Sequence, residues 1–298
     1  MGSIFAEARC TGSLHALHLT SGDEFAFEAD RPHVMASVVK VPLAVEFYAQ
    51  VADGLVSSSD PVTLLPGART PGPVGISQLA DPVTMSLGDL AYLMLTISDN
   101  AAADALAHVV GIDKVNDRLT RIGCRNTEMV GTLQHMLDGL AAELGFGDYA
   151  QLSAAQRGEL GATARAQSTD PDRIDRSQAL DPRASSRTTA RDATRLLGAI
   201  WDGTAAATWA CERVRTVMAQ QLTRRLAPAV PDGWSLAAKS GGLFGRVRNE
   251  IALITAPHGD AYAVAVLTRA DPPYGGGVKI NEAMAAAVSV ALDAIRTE

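Results

Sequence analysis

A segment near the amino terminus reads Ser13-Leu-His-Ala-Leu-His-Leu-Thr-Ser-Gly-Asp-Glu-Phe-Ala-Phe-Glu-Ala29, and its pattern decides how the chain begins. Apolar and polar residues alternate on both sides of Ser21-Gly-Asp23. Such alternation is typical of a strand with one buried face, and a short Gly-containing segment between two strands favours a hairpin turn. The sequence therefore predicts that the chain opens with a β-hairpin.

The rest of the chain divides into a helical middle and a second group of strands. Apolar residues recur at helical spacing in five segments, namely 38–51, 87–96, 101–110, 113–122 and 189–201. Beyond residue 231 the period returns to two, which predicts strands at 235–240, 248–255 and 261–268, followed by a helix at 281–296. Because the strands come from both ends of the chain, the two ends must meet in one sheet.

We predict a mixed α and β fold, in which an antiparallel sheet of N- and C-terminal strands is flanked by helices and carries an inserted all-helical domain. The predicted boundaries are 1–35 and 225–298 for the sheet-containing domain and 36–224 for the helical domain. Residues 64–82 are rich in Pro and Gly and predict an irregular loop. Residues 133–187 combine a possible helix at 137–144 with a polar stretch at 166–177, which we interpret as a solvated loop.

Composition and charge exclude several kinds of partner. The 298 residues are 47% hydrophobic, which is enough to bury a sizeable core, and the net charge of −7 offers no attraction for nucleic acid. The three cysteines, Cys10, Cys124 and Cys211, are far apart, and no histidine pair has metal-ligand spacing on a helix. We therefore expect no disulfide framework, no metal, no cofactor and no nucleic-acid partner.

The ends of the chain bear on localisation. The first nine residues lack a basic region followed by an apolar run, so the sequence as given carries no export signal. The longest uncharged apolar stretch near either end, 283–292, is about half the length that a bilayer span needs. We expect that the protein has no membrane partner. We also expect it to reside in the cytoplasm, or to be secreted or periplasmic if a signal peptide has been removed.

The segment Ser37-Val-Val-Lys40 has residues suited to acyl transfer. At the start of a helix, the i, i+3 spacing places the hydroxyl and the amine on one face. Serine needs a nearby base to act as a nucleophile, and a partly desolvated lysine can have its pKa lowered enough to serve. Taken alone, the segment is more simply explained by a helix cap beside a surface lysine, because Ser-x-x-Lys occurs by chance in many chains.

Two further segments are short and polar. Ser98-Asp-Asn100 directly precedes a helix-forming run, and capping alone would explain it. Lys239-Ser-Gly-Gly242 ends a predicted strand, and a strand that runs into a glycine turn would explain it. Each segment is a weak signal separately.

Taken together and in this order, the three segments resemble the signatures of the penicillin-recognising serine enzymes, Ser-x-x-Lys, Ser-Asp-Asn and Lys-Thr/Ser-Gly. The separation of 61 positions between Ser37 and Ser98 is similar to that in class A β-lactamases, as is the strand–helix–strand layout. The resemblance extends from the opening hairpin to the last helix. It implies a serine hydrolase that acts by acyl transfer on a β-lactam or on another activated amide or ester.

The resemblance also implies catalytic roles. Ser37 would be the acylated nucleophile and Lys40 its base or proton relay. Ser98 would pass the proton to the leaving nitrogen or oxygen, and Lys239 would polarise the Ser98 hydroxyl.

Substrate-binding roles follow in the same way. Asn100 would bind the side-chain amide of a small-molecule substrate. The backbone N–H groups of Ser37 and Gly242 would form the oxyanion hole. Ser240 and Arg248 would hold a substrate carboxylate, although Arg248 is also explained as an ordinary strand-face arginine.

The chain departs from this family where class A β-lactamases carry a Glu that activates the deacylating water. Aligning Ile122-Gly123 with the family's Ile-Gly brings Leu133-Gln-His135 to that position. Ser98 and Lys239 are 141 positions apart, some tens more than is usual, so an insertion occupies about 136–180 of an enlarged omega-loop region at 133–187. The sequence does not select a replacement base among the candidates, which are Glu159, Asp170, Asp172, Asp175 and His135.

The missing Glu keeps two alternatives open. One is an esterase or biosynthetic acyl-transfer enzyme with weak β-lactamase activity. The other is a penicillin-binding module that is acylated and stays acylated, as a sensor or a sink would.

Overall fold

A computed structural model describes residues 1–296 of the chain. Its strands are β1 (Cys10–His18), β2 (Glu24–Phe27), β3 (His33–Val34), β4 (Pro61–Leu64), β5 (Val83–Ser86), β6 (Arg187–Thr188), β7 (Ser235–Leu243), β8 (Val247–Thr255) and β9 (Ala261–Ala270). Its α-helices are α1 (Gly2–Glu7), α2 (Lys40–Ala52), α3 (Leu87–Thr96), α4 (Asn100–Val110), α5 (Ile112–Arg121), α6 (Leu133–Glu143), α7 (Tyr149–Gln156), α8 (Ala162–Ser168), α9 (Pro171–Asp175), α10 (Ala190–Trp201), α11 (Thr208–Met218) and α12 (Gly277–Ile295).

The central sheet joins both ends of the chain. Five antiparallel strands lie in the order β2-β1-β9-β8-β7, so the N-terminal hairpin pairs with β9, where Leu14 is opposite Val266. The predicted fold class is confirmed, because the sheet is built from N- and C-terminal strands and the helices come mostly from the segment between them. Strand β7, which carries Lys239, is an edge strand of this sheet.

Each face of the sheet packs against its own layer of helices, because successive side chains of a strand point to opposite faces. On β8, Ile251 and Leu253 belong to the core shared with α2, α4 and α10. The alternate residues Ala252 and Ile254 belong to a second core, which includes α12. The face that carries Ile251 is therefore the one against which the helical middle of the chain packs.

The inserted region differs from the sequence-based expectation. The prediction of a solvated loop at 166–177 was wrong, since this stretch lies largely in α8 and α9. Helix α9 forms because Pro171 occupies its first turn and the Asp170 carboxylate accepts hydrogen bonds from two free backbone N–H groups, those of Asp172 and Arg173. Residues 64–82 are irregular, with two short 3₁₀ turns at 66–68 and 75–78.

The cysteines are free thiols buried in the core. Burial raises the pKa of Cys10 to about 11 and that of Cys124 to about 12, so both are protonated near neutral pH. Over residues 1–296, none of the helices has the length and apolar character needed to cross a bilayer.

Candidate active site

Ser37 lies half-buried in a 3₁₀ turn, Ala36–Val39, that leads directly into α2. The residue before it, Ala36, has a φ of 49°, a left-handed conformation that side chains other than glycine rarely adopt. The buried Asn249 amide of β8 holds this turn by donating to the carbonyls of Val34, at 2.9 Å, and Met35, at 3.2 Å. The serine is therefore fixed against the sheet by a strained but tightly bonded backbone.

Strand β7 passes this turn at Gly241. A Cβ atom at this position would lie 2.9 Å from the Met35 carbonyl oxygen and 3.2 Å from the Ser37 nitrogen. Only glycine permits so close an approach. The next residue, Gly242, lines the same cavity as Ser37, and their N–H groups are the ones that the sequence predicts as the oxyanion hole.

Lys40 is fully buried in the first turn of α2. Its Nζ donates to the Ser98 carbonyl at 2.6 Å, to Asn100 Oδ1 at 2.8 Å and to Ser98 Oγ at 3.2 Å. Burial lowers the pKa of this amine to about 7, although the negative charges of Asp99 and Asp104 oppose the shift. Near neutral pH a large share of the amine is therefore uncharged and can accept a proton.

The Lys40 amine is hydrogen-bonded to Ser98 and not to Ser37. Among residues 1–296, the Lys40 amine makes its hydrogen bonds to Ser98 and Asn100 only. Ser98 has a φ of 64°, a left-handed conformation, and its backbone carbonyl accepts one of these hydrogen bonds. The Ser98 hydroxyl is therefore placed to exchange a proton with the Lys40 amine.

The neighbouring Asp99 has a structural role. Its buried carboxylate accepts a hydrogen bond from the backbone N–H of Ala102 at 3.1 Å, which caps α4, and one from the N–H of Ile76 at 2.6 Å. The Asn100 side chain donates to the Pro71 carbonyl at 2.9 Å. Together these bonds hold the irregular loop at 66–78 beside the serine.

Lys239 is also fully buried, and its Nζ donates to the Ser240 carbonyl at 2.9 Å. Burial places its pKa well below the usual range, and the nearby charges of Lys40 and Arg225 lower it further. Within residues 1–296 its amine makes no hydrogen bond with the Ser98 hydroxyl that it is predicted to polarise. The two lysines are thus close enough for their charges to interact, which disfavours protonation of both at once.

A cavity of about 700 Å³ contains Ser37 and is bounded by the 66–78 loop, α6, α7 and the turn between β7 and β8. Its walls within the described part of the chain contain no Asp or Glu. The lining residues are Ala36, Ser37, Pro66, Arg69, Pro71, Gly72, Pro73, Ser77, Gln78, Asn100, Leu133, Met136, Leu137, Tyr149, Ala150, Ser153, Arg157, Gly242, Leu243 and Phe244.

The candidate replacement bases all lie elsewhere. Glu159 is exposed and pairs with Arg157, Asp170 caps α9, and Asp172 is exposed in the first turn of the same helix. Asp175 is bonded to Arg246 at 2.8 Å, and His135 lines a neighbouring pocket rather than this cavity.

Sequence reasoning missed a buried carboxylate, Asp104, which anchors the inserted region. It accepts hydrogen bonds from the N–H groups of Leu133 and Gln134, both at 2.8 Å, and from Thr70 Oγ1 at 2.6 Å. These bonds tie the start of α6 and the 66–78 loop to α4. Its sequence signal is a lone acid in the run Ala101-Ala-Ala-Asp-Ala-Leu106, which is otherwise apolar.

The structure does not bring Arg248 into the cavity. Arg248 lies opposite Gly242 in the β7–β8 register and shares a sheet face with Ser240, while Lys239 points to the other face. Its guanidinium donates to Asn281 Oδ1 of α12 at 3.3 Å. The carboxylate-binding role given to Ser240 and Arg248 therefore stays a prediction.

A second arginine lies near Gly242 and was not singled out from the sequence. The Arg225 guanidinium donates to the carbonyls of Gly241, at 2.8 Å, and Asn249, at 2.7 Å. Its backbone N–H donates to Glu250 at 2.9 Å. It supports the end of β7 next to the serine, and its only sequence signal is the pair Arg224-Arg225.

Comparison with known proteins agrees with this architecture. The chain is 29% identical over 281 residues to a β-lactamase regulatory protein, BlaB, of Streptomyces cacaoi, covering 90% of this chain and 87% of that one. Among solved structures it is similar to a β-lactamase of Sphaerobacter thermophilus, with 24% identity and a TM-score of 0.75 over 99% of this chain and 97% of that one.

It is also similar to PBP-A, of which a variant has been solved as an acyl-enzyme complex with penicillin G, with 20% identity and a TM-score of 0.71 over 97% and 94% of the two chains. At these identities the two solved structures bear on the fold alone. Residues 2–294 match the sequence model of the β-lactamase enzyme family. The chain therefore belongs to the β-lactamase enzyme family.

Proposed function

We propose that the protein is a serine hydrolase that forms an acyl-enzyme on Ser37 with β-lactams and clears that acyl-enzyme slowly. One observation carries the proposal: the cavity that contains Ser37 adjoins a lysine suited to be a base, yet no carboxylate of residues 1–296 lines it. A site of this kind has a base for acylation of the serine but lacks one for hydrolysis of the acyl-enzyme.

In the acylation step, the Ser37 oxygen attacks the lactam carbonyl carbon, and its proton passes to the neutral Lys40 amine, directly or through Ser98. The oxyanion is stabilised by the N–H groups of Ser37 and Gly242. Collapse of the tetrahedral intermediate breaks the carbon–nitrogen bond, and the Ser98 hydroxyl delivers its proton to the leaving nitrogen while it takes back the proton held by Lys40, which lies 3.2 Å away. Within residues 1–296 Lys239 makes no hydrogen bond with Ser98, so the polarising role that the resemblance implies for it stays a prediction.

The deacylation step needs a base for the attacking water. Removal of a positioned general base typically costs about 10²–10⁴-fold in rate. The residue that lines the cavity at the start of α6 is Leu133, which cannot accept a proton. We therefore expect the acyl-enzyme to accumulate.

Rapid mixing with a chromogenic β-lactam tests this. The expected result is a burst of one equivalent per protein followed by slow turnover, with Ser37 modified in the mass spectrum during the slow phase. Burst-free hydrolysis at the rate of a dedicated β-lactamase would contradict the proposal. Hydrolysis of activated esters with no β-lactam adduct would instead support the esterase or biosynthetic alternative.

A second candidate function is that of a β-lactam sensor. It is favoured by the same lack of a base and by the regulatory function that the name of the Streptomyces cacaoi relative states. Labelling with a fluorescent penicillin, followed by a chase with unlabelled drug, separates the two functions. Label that persists for many hours supports a sensor, and label that decays within minutes supports a slow hydrolase.

A further inference from the structure

The charge of the Ser37 cavity is opposite to that of the chain. The protein carries a net charge of −7, but the charged side chains that line this cavity are two arginines, Arg69 and Arg157. Lys40 and Lys239 are buried and their pKa values are lowered, so the positive charge of this cavity is that of the two arginines. A cavity of one sign in a molecule of the other sign concentrates ligands of opposite charge, which here are anions.

The two arginines are not equivalent. Each N–H of the Arg69 guanidinium is taken by a backbone carbonyl: those of Leu64, Ile76, Leu79 and Asp81. Its guanidinium is also buried. Arg69 therefore holds the 64–82 loop together and has no donor left for a ligand.

Arg157 keeps free donors. Its Nη1 donates to Ser153 Oγ at 2.7 Å, and its Nε and Nη2 donate to the two Glu159 oxygens at 2.5 and 3.1 Å. One N–H on each terminal nitrogen then has no protein acceptor in residues 1–296. Arg157 lines the cavity and Glu159 does not, although both side chains are more than half exposed to solvent.

The segment that carries Arg157 is fixed in place. Tyr149 and Ser153 of α7 and Arg157, the residue that directly follows this helix, are spaced four residues apart along one face, and all three line the cavity. On the opposite face, Leu152 is fully buried in a cluster that Phe244 of the β7–β8 turn joins. The wall is thus packed against the strand that carries Gly242.

We propose that Arg157 binds a carboxylate on the acyl side chain of the substrate, so that acyl donors with an acidic side chain are preferred. Asn100, which the resemblance implies binds the acyl side-chain amide, lines the same cavity as Arg157, which is why we assign the arginine to the acyl side chain. This inference rests on the proposed function, because it needs acylation of Ser37 as its readout.

A matched pair of penicillins tests the proposal. Carbenicillin is benzylpenicillin with a carboxylate added to the acyl side chain, so the ratio of their acylation rate constants isolates that charge. We expect Arg157→Gln to lower the carbenicillin/benzylpenicillin ratio about fivefold, as is typical of a partly exposed ion pair. Glu159→Gln should raise the ratio, since it removes the competing carboxylate, and added salt should reduce both effects.

Arg165→Gln is the control, because Arg165 is exposed in the same inserted segment and does not line the cavity. It should leave the ratio unchanged. If benzylpenicillin acylates Ser37 normally but Arg157→Gln leaves the carbenicillin/benzylpenicillin ratio unchanged, this inference is overturned and the proposed function is not. Absence of any benzylpenicillin adduct on wild-type Ser37 would overturn the proposed function and this inference with it.

Discussion

The two walls of the Ser37 cavity differ in the chemistry of their side chains. One wall, with Ser37, Asn100 and Gly242, carries a nucleophile, an amide and free backbone N–H groups, with Lys40 directly behind it. The facing wall, formed by α6 and α7, presents Leu133, Met136 and other side chains without a carboxylate.

This difference separates the two halves of an acyl-transfer reaction. Under the proposed function, acylation would use groups on the first wall, while deacylation would need a base that faces the acyl group from the other side. Fold and family membership are therefore compatible with very different lifetimes of the acyl-enzyme. Substitutions on one wall leave the other wall unchanged, so the two halves of the reaction can be tested separately.

The largest effect is expected from Ser37→Ala on the first wall. Acylation should be abolished, because no other hydroxyl occupies the turn before α2. The fold should persist, since Ser37 lies inside the 3₁₀ turn and is not its N-cap residue, which is Met35, and substitutions away from such structural features usually change the free energy of unfolding by about 0.5 kcal/mol or less. Intact-protein mass spectrometry with penicillin and a thermal melt check both points, and a penicillin adduct on the variant would refute the assignment.

The next effect concerns the protonation of Lys40. Because the folded pKa is lowered to about 7, the amine is charged below that pH and neutral above it. Acylation should rise as the pH increases through about 7 and level off at higher pH. Stopped-flow acylation from pH 5 to 9 measures the profile.

Lys40→Gln is the companion variant, expected to lose about 10²–10⁴-fold in acylation rate. The step near pH 7 should disappear in it, provided that circular dichroism shows an intact fold. An unchanged step in the variant would assign the titration to another group near the serine, with Lys239 the first to test.

A gain of function is expected from the second wall. Leu133→Glu puts a carboxylate in the cavity within the first turn of α6, where the helix dipole also favours a negative charge. Decay of the acyl-enzyme should become at least about tenfold faster, within the range that a general base supplies. Ala150→Glu adds the same charge to the same cavity from α7, and equal acceleration in both variants would mean that position does not matter.

The smallest effect is expected from the contacts that hold the second wall in place. Asp175 accepts a hydrogen bond from Arg246 at 2.8 Å, and another from the Tyr274 hydroxyl. Burial alone would raise the pKa of this carboxyl, but these two hydrogen bonds and the nearby arginines lower it. Asp175→Asn should reduce the free energy of unfolding by about 1 kcal/mol at pH 7.

The pH dependence of this effect has a definite sign. A lowered carboxyl pKa stabilises the fold at pH values above the unfolded pKa of about 3.9, and this stabilisation is lost as the pH falls through the lower folded value. The difference between Asp175→Asn and wild type in urea denaturation should therefore shrink below about pH 4. The exposed Asp172→Asn is the control, and a loss as large as that of Asp175→Asn would show that the ion pair contributes nothing specific.

The layout of the fold could be predicted because its signals are local. Alternation in β1 and β2 and helical periodicity in α2, α3, α4 and α10 follow from which residues face the core, and each prediction falls within a few residues of the observed element. Helix α9 was missed because the Asp170 cap and Pro171, rather than an amphipathic pattern, favour it, and helix α8 was missed because it buries only Ser168 and so has no apolar face to recognise.

By itself, the sequence determined which side chains are available to the site, since Ser37, Lys40 and Ser98 lie in short segments whose spacing is a local property. Only the tertiary structure decided which of them meet. Lys40 is bonded to Ser98, 58 positions away, while the candidate bases of the inserted region are held away from the cavity. The physical reason is that burial and hydrogen bonding between distant segments set the position and the charge of each group, and neither is encoded in the spacing of neighbouring residues.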